Sequence, residues 1–250
     1  MSARAAIAAV LEHLSDAQVG GLAAACQAAH TPPASLTGVV AGGTPGARQV
    51  VAELLTAWRE VPELTGAGVA LALQTGLGAR ADAAARRSRP VWTGPQAVGE
   101  QRLTASTLHG LLTAASERVL LVSYAAYTLK QVADDLTAAV DRGCAVDVVF
   151  ETSEDSTSYD GPATPFGAVA GIRRWRWPGD QRPAHAALHA KLLVIDGRRA
   201  LIGSANLTNR ALSDNLEAGL LVRDPDVAAS LEEHVRALMR ARTFVRSEVP

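Results

Sequence analysis

His189 and Lys191 are separated by a single residue, and Gly203-Ser204-x-Asn206 follows twelve residues after the lysine. An imidazole serves as nucleophile or base, an ammonium holds a phosphate oxygen, and a hydroxyl and a carboxamide add neutral donors. Glu217 stands in an apolar run, where a buried carboxylate needs a partner, and an imidazole is a natural one. The lysine carries extra weight. Of 24 basic residues only Lys130 and Lys191 are lysine, so a need for a compact ammonium is suspected where one persists.

The elements around these residues must bring them together. On a strand, His189 and Lys191 leave the same face. The run Leu188–Ile195 carries that strand into the core, and Asp196-Gly197 between two apolar runs signals a hairpin. The hairpin returns the chain through Ala200–Ile202, which delivers Gly203 to Asn206 beside the imidazole. Further strands are expected at Val91–Thr93, Val119–Tyr124, Val146–Phe150, Ile172–Trp177 and Leu216–Val222. Helices are expected near Thr104–Ser116, over Leu129–Arg142 ending at Gly143, and over Asp224–Arg240. This body, residues 89–250, reads as α/β with a mixed sheet flanked by helices. Residues 1–88 read as a helical region: Ser15 with Gln18 forms a capping-box pattern, and Val50, Val51, Leu54, Leu55 and Trp58 make one apolar stripe. A Pro/Gly-rich break runs from Thr31-Pro32-Pro33 through Gly42-Gly43-Thr44-Pro45-Gly46, and another falls at Gly94-Pro95.

The string His189-x-Lys191-x4-Asp196-x6-Gly203-Ser204-x-Asn206 resembles the HKD signature of the phospholipase D superfamily, with every spacing kept. The resemblance implies a phospholipase D-like fold and phosphoryl transfer without metal or other cofactor. By it, His189 attacks phosphorus to form a phosphohistidine, and a second HKD histidine protonates the leaving oxygen and then activates water. Lys191 and Asn206 hold the non-bridging oxygens, Ser204 hydrogen-bonds nearby, Asp196 is structural, and Glu217 orients the nucleophile. The chemistry agrees: charge develops on equatorial oxygens, so positioned cations and donors do most of the catalysis. No other histidine is followed by lysine two residues on. Single-motif members of the superfamily, the bacterial endonuclease type, pair two copies about a twofold axis, which implies a homodimer with one shared site. The Trp92-Thr93-Gly94-Pro95 segment, a helical N-terminal region and one C-terminal HKD also resemble the DrmC family of the DISARM phage-defence system, which implies other defence proteins as partners.

Composition excludes several classes. With 250 residues, 48% hydrophobic and 20% charged, the chain has material for a substantial core and is not a disordered polymer. No run of 18 apolar residues appears, and Glu12, His13 and Asp16 make the N-terminus too polar for a signal-peptide core; a soluble, cytoplasmic protein without membrane attachment is expected. Cys26 and Cys144 stand apart from any ligand cluster, so neither a disulfide framework nor a metal site is expected.

Two phosphodiester classes compete, nucleic acid and phospholipid. From Ile172 to Arg210 eight basic residues stand against two acids, a local +6 in a chain of −1. Such a concentration suits a phosphate-tracking groove, with Arg174, Arg176 and Arg210 as substrate contacts. Trp175, between those arginines, suits stacking on single-stranded bases. A second reading stays open for Trp175 and Trp177: alternation with arginine on a strand also suits one core-facing side. Ser123 and Tyr124 end a buried strand, where site residues and structural ones occur alike. Glu151, Glu154 and Asp155 read as a solvated loop or as a guard at the pocket rim. A DNA- or RNA-cleaving phosphodiesterase is the expected function, with a non-catalytic nucleic-acid-binding or scaffold subunit, or a lipid or small-substrate phosphodiesterase, as rivals.

Overall fold

A computed structural model of the chain describes residues 1–29, 31–40, 45–94, 104–124, 129–156, 159, 164–183 and 185–247. Of the breaks read from the sequence, residues 41–44 and Pro95 lie outside the described residues, as does part of the polar loop after Glu151. The chain divides into two compact units, Met1–Ala85 and Arg86–Pro250.

The first unit is helical: α1 (Ala3–His13), α2 (Asp16–Ala28), α3 (Pro45–Arg59) and α4 (Gly66–Arg86), with a 3₁₀ turn at Thr37–Val40. The Ser15–Gln18 capping box is formed reciprocally and starts α2. Val10, Leu22, Leu54, Trp58 and Leu73 fill its core, and the Trp58 indole N–H donates to the Leu64 carbonyl at 2.6 Å.

The second unit contains β1 (Arg89–Thr93), α5 (Thr104–Thr113), β2 (Arg118–Ser123), α6 (Lys130–Asp141), β3 (Ala145–Phe150) and β4 (Arg173–Arg176). Then follow β5 (Leu192–Ile195), β6 (Arg199–Gly203), α7 (Asn209–Ser213), β7 (Glu217–Val222), α8 (Pro225–Arg240) and β8 (Val245–Arg246). The strands form one mixed sheet in the order β1-β7-β6-β5-β2-β3-β4-β8. β2, β3 and β4 are mutually parallel, and the remaining pairings are antiparallel.

The continuous apolar run of β2 is explained by burial on both faces. Val119 and Leu121 join a core with Leu108, Leu112 and Leu136 of α5 and α6. Leu120 and Val122 point the other way, into a core with Ala228 and Val235 of α8. α8 starts where Asp224 caps it and Pro225 supplies the preset first turn. The short β8, which pairs with β4 at the sheet edge, carries no sequence pattern strong enough to announce a strand.

Asp196 and Gly197 adopt φ values of 55° and 65°, the two left-handed positions of a tight hairpin turn between β5 and β6. The Asp196 carboxylate then reaches across to the start of β2. It accepts from the backbone N–H of Arg118 (2.9 Å), Glu117 (2.8 Å) and Ser116 (3.1 Å), and from the Ser116 hydroxyl (2.9 Å). Partial burial pushes this carboxyl up, but the N–H donors of Arg118 and Glu117 and the Ser116 groups outweigh it and hold the group below its ordinary value. A depressed carboxylate contributes stability above its unfolded value, lost as pH falls through the folded one. Asp196→Asn keeps the turn preference but removes the charge, and is expected to cost about 1–3 kcal/mol at neutral pH. Urea unfolding followed by tryptophan fluorescence should show that deficit at pH 7 and its progressive narrowing below about pH 4. An unchanged midpoint at pH 7 would contradict the clasp.

Candidate active site

The motif residues meet at the end of the sheet formed by the start of β5, the end of β6 and the start of β7. Their placement departs from the sequence reading at the start of β5. His189 and Lys191 lie in the extended approach to β5, which begins only at Leu192, rather than within the strand. His189 is exposed and Lys191 half-buried. The lysine ammonium donates to the His189 carbonyl at 2.8 Å, which folds the pair into a compact local unit. Tyr124, just past β2, lies 5.4 Å from the His189 ring between centroids, and the Lys191 Nζ sits 5.8 Å from the Tyr124 ring. Tyr159 packs edge-on against Tyr124 at 5.9 Å. The end of a buried strand is thus where Tyr124 supports the imidazole.

β6 delivers the second half of the motif. The Gly203 N–H donates to the Lys191 carbonyl at 3.3 Å, so the returning strand runs beside the lysine. A Cβ at Gly203 would lie 2.8 Å from the Ala218 carbonyl oxygen and 2.9 Å from the Gly219 Cα, both backbone, so only glycine fits between β6 and β7 here. The Ser204 N–H donates to the Ala218 carbonyl at 3.0 Å, and its hydroxyl donates to Glu217 Oε2. Asn206 follows, its buried Oδ1 without a hydrogen-bond partner among the described residues. The Leu207 N–H reaches the Ser123 hydroxyl at 3.4 Å, which ties this turn to the end of β2.

Glu217 corrects the expectation that it is deeply buried and orients the imidazole. It is half-exposed, and its oxygens accept from Ser204 and from the Asn215 amide at 3.1 Å, with no hydrogen bond to His189. The carboxylate holds Ser204 and influences Lys191: burial pushes the ammonium below its ordinary value, and nearby Glu217 partly offsets this. Thr93, opposite Glu217 in the register, is buried and has an unpartnered hydroxyl.

The expected substrate contacts near β4 separate into three cases. Arg174 is buried, and its guanidinium donates to the carbonyls of Phe166 and Val169 (2.9 Å), so it is a structural residue and not a substrate ligand. Trp175 packs on the α8 side of the sheet and donates its indole N–H to buried Asp147 at 2.8 Å; the core-facing reading is the correct one. Arg176 is bound at 2.5 Å to Asp155, whose side chain is 3% exposed, so its charge is neutralised within the fold. Arg210 is exposed on α7, and its guanidinium makes no hydrogen bond or ion pair to another described residue. Arg173 pairs with Asp147 and Arg182 with Glu151. Of the eight basic residues in this stretch, Arg173, Arg176 and Arg182 are thus paired with acids and Arg174 with backbone carbonyls, so the part around β4 does not form an open basic groove.

Glu151, read from the sequence as part of a solvated loop or a guard at the pocket rim, is instead an anchoring residue. It is fully buried at the end of β3 and grips Arg182 through two 2.7 Å bonds. Glu151 Oε2 also accepts the Leu188 N–H at 3.0 Å, one residue before His189. Arg182 in turn donates to the Trp177 carbonyl and stacks 4.9 Å from that ring. The segment that carries the nucleophile is thereby fastened to the sheet. An acid directly after a buried parallel strand was the available signal.

Beside Lys191 a small apolar pocket of about 40 Å³ opens, walled by Leu108, Leu121, Leu193, Leu201 and Leu207. Among the described residues no cluster of three or more His, Cys, Asp or Glu is placed to hold a metal ion, and no helix is long and apolar enough to cross a membrane. The arrangement offers an accessible imidazole, an ammonium, a hydroxyl–carboxylate pair and a carboxamide within one end of a sheet. Those groups suit in-line displacement at phosphorus.

Residues 108–239 match the protein family described as "Cardiolipin synthase, PLD-like domain". Cardiolipin synthase A of Pseudomonas syringae pv. syringae is 34% identical over 128 residues, covering 50% of this chain and 25% of that protein. Cardiolipin synthase A of Pseudomonas fluorescens is 34% identical over 140 residues, covering 54% and 28%. The chain thus matches only about a quarter of the length of these relatives. Among solved structures, NucT from Helicobacter pylori aligns with a TM-score of 0.50 at 14% identity, over 64% of this chain and 100% of that one. At that identity the likeness is one of fold.

Proposed function

Because the chain belongs to the family of phospholipase D-like domains, we propose that it is a metal-independent phosphodiesterase that hydrolyses DNA or RNA through a phosphohistidine on His189. The observation that carries this reading is the exposed His189 imidazole, set beside Lys191, Ser204 and Asn206 at the sheet end. In the first step an imidazole nitrogen bonds to phosphorus and the P–O bond to the leaving strand breaks. The leaving oxygen takes a proton from a second imidazole. That imidazole then removes a proton from water, which attacks phosphorus and frees His189. Lys191 and Asn206 hold the non-bridging oxygens, and Glu217 fixes the Ser204 hydroxyl. A single His-x-Lys occurs in the chain, so the second imidazole is His189 of another copy and the active species is a homodimer.

Openness favours a polymeric substrate, since an exposed nucleophile admits a long strand without threading it into a pocket. Arg198 and Arg210 also lack ion pairs among the described residues and remain free to meet phosphates. A place in phage defence follows from the Trp92-Thr93-Gly94-Pro95 resemblance. A second reading, phosphatidyl transfer or hydrolysis, is favoured by the likeness to cardiolipin synthase A and by the apolar pocket beside Lys191.

Labelled single- and double-stranded DNA and RNA, beside phosphatidylglycerol vesicles, should be incubated with the protein in EDTA. Strand cleavage is the expected result. Turnover confined to the vesicles would replace this reading with the lipid one. Nucleic acid bound but never cut would leave a scaffold subunit.

A further inference from the structure

A second cluster of unneutralised charge lies away from His189. An open cleft of about 650 Å³ is lined by Arg89, Arg199 and Arg223 together with Ser106 and Thr107 of α5. The strand register fixes its position. Arg89 begins β1 opposite Leu221, whereas Thr93 at the far end lies opposite Glu217. Arg199 likewise begins the strand that Gly203 ends. Four strand residues, about 13 Å, separate the cleft from the site.

The three guanidiniums have no hydrogen bond or ion pair to other described residues. The neighbouring acids are engaged elsewhere: Asp224 caps α8 through the N–H groups of Asp226 and Val227, and Asp226 lies 3.7 Å from Arg86. Thr107 is 7% exposed and its hydroxyl has no partner. Three like charges converging without a counter-charge, beside an orphan hydroxyl, describe a site for an anion. Planar guanidinium forks match phosphate oxygens in pairs. A recess lined by arginine and hydroxyls also differs from a membrane-binding face, which presents protruding basic groups beside exposed apolar ones.

We infer that this cleft is a second, non-catalytic phosphate site, occupied by a phosphate of the nucleic-acid strand whose scissile diester lies at His189. The inference rests on the nucleic-acid reading above. Its test is Arg199→Gln with Arg223→Gln, placed in the His189→Ala protein so that nothing is cut, and a fluorescent 20-nucleotide single strand. Anisotropy at about 0.1 M salt should show affinity reduced at least tenfold, and a salt dependence shallower by about 1.4, two contacts at ~0.7 each. With His189 intact, the same pair should leave hydrolysis of a small chromogenic phosphodiester unchanged. Equal affinity and slope would overturn the cleft alone, as would an equal loss on the small diester. Loss of binding to phosphatidylglycerol vesicles with strand affinity intact would overturn the strand as occupant. A His189→Ala protein that binds no oligonucleotide would instead sink the nucleic-acid reading itself.

Discussion

His189→Ala is expected to lower turnover at least ~10⁴-fold while leaving the fold intact. The substitution removes the group that bonds to phosphorus, and losses of this order follow removal of a catalytic nucleophile. The native ring is exposed and makes no hydrogen bond among the described residues; its packing there includes the 5.4 Å contact with Tyr124. Exposed substitutions of this kind change stability by about 0.5 kcal/mol, so urea midpoints should coincide. Mixtures sharpen the result. If each reaction needs His189 from two copies, subunit exchange between native and substituted protein should make activity follow the square of the native fraction. A linear fall would mean that one copy works alone, and retained turnover in the pure variant would end the phosphohistidine mechanism.

Lys191→Met should separate catalysis from stability. The ammonium neutralises developing charge on phosphorus, and losing one such group costs roughly 10²–10³-fold in turnover. Stability should not fall with it. Burial depresses the Lys191 value, with Glu217 offsetting only part. A base whose folded value lies below its unfolded one carries a cost while it is charged, and that cost is released as pH rises through the folded value. Methionine has similar length and no charge to bury, so the variant should unfold at equal or higher urea at pH 7. The gap should close in alkali, where native Lys191 is neutral too. A variant clearly less stable at pH 7 would show that the ammonium supports the fold rather than being supported by it.

The residues close together in sequence were the readable part of this site. A two-residue offset and a hairpin turn are local properties, and each can be inferred without knowing the rest of the chain. The strands and helices of residues 89–250 followed from apolar runs and caps for the same reason, apart from the ends of β5, the short helix α7 and the short β8. What could not be read was pairing at a distance. Arg174 looks like a surface base until the carbonyls of Phe166 and Val169 close around it. Arg176 and Arg182 find their acids 21 and 31 residues away. Trp175 answers to Asp147, 28 residues back on the neighbouring strand. Counting charges along the chain gave the basic stretch its sign but could not say how much of it was already neutralised. Glu217 shows the converse: its strand was legible, but its partner proved to be a hydroxyl thirteen residues away rather than the imidazole.

The buried grip of Glu151 on Arg182, with the Leu188 N–H held alongside, also bears on time. A nucleophile carried by a hinged lid spends part of each cycle out of position, and its motion sets the pace. Here the chain just before His189 is anchored to the rigid end of a central strand by a charge pair shielded from water and salt. The reacting group therefore waits in place, and no closure of its own segment has to precede chemistry. Productive encounters are then limited by how a substrate arrives and how its products leave, both of which belong to the surface rather than to the core.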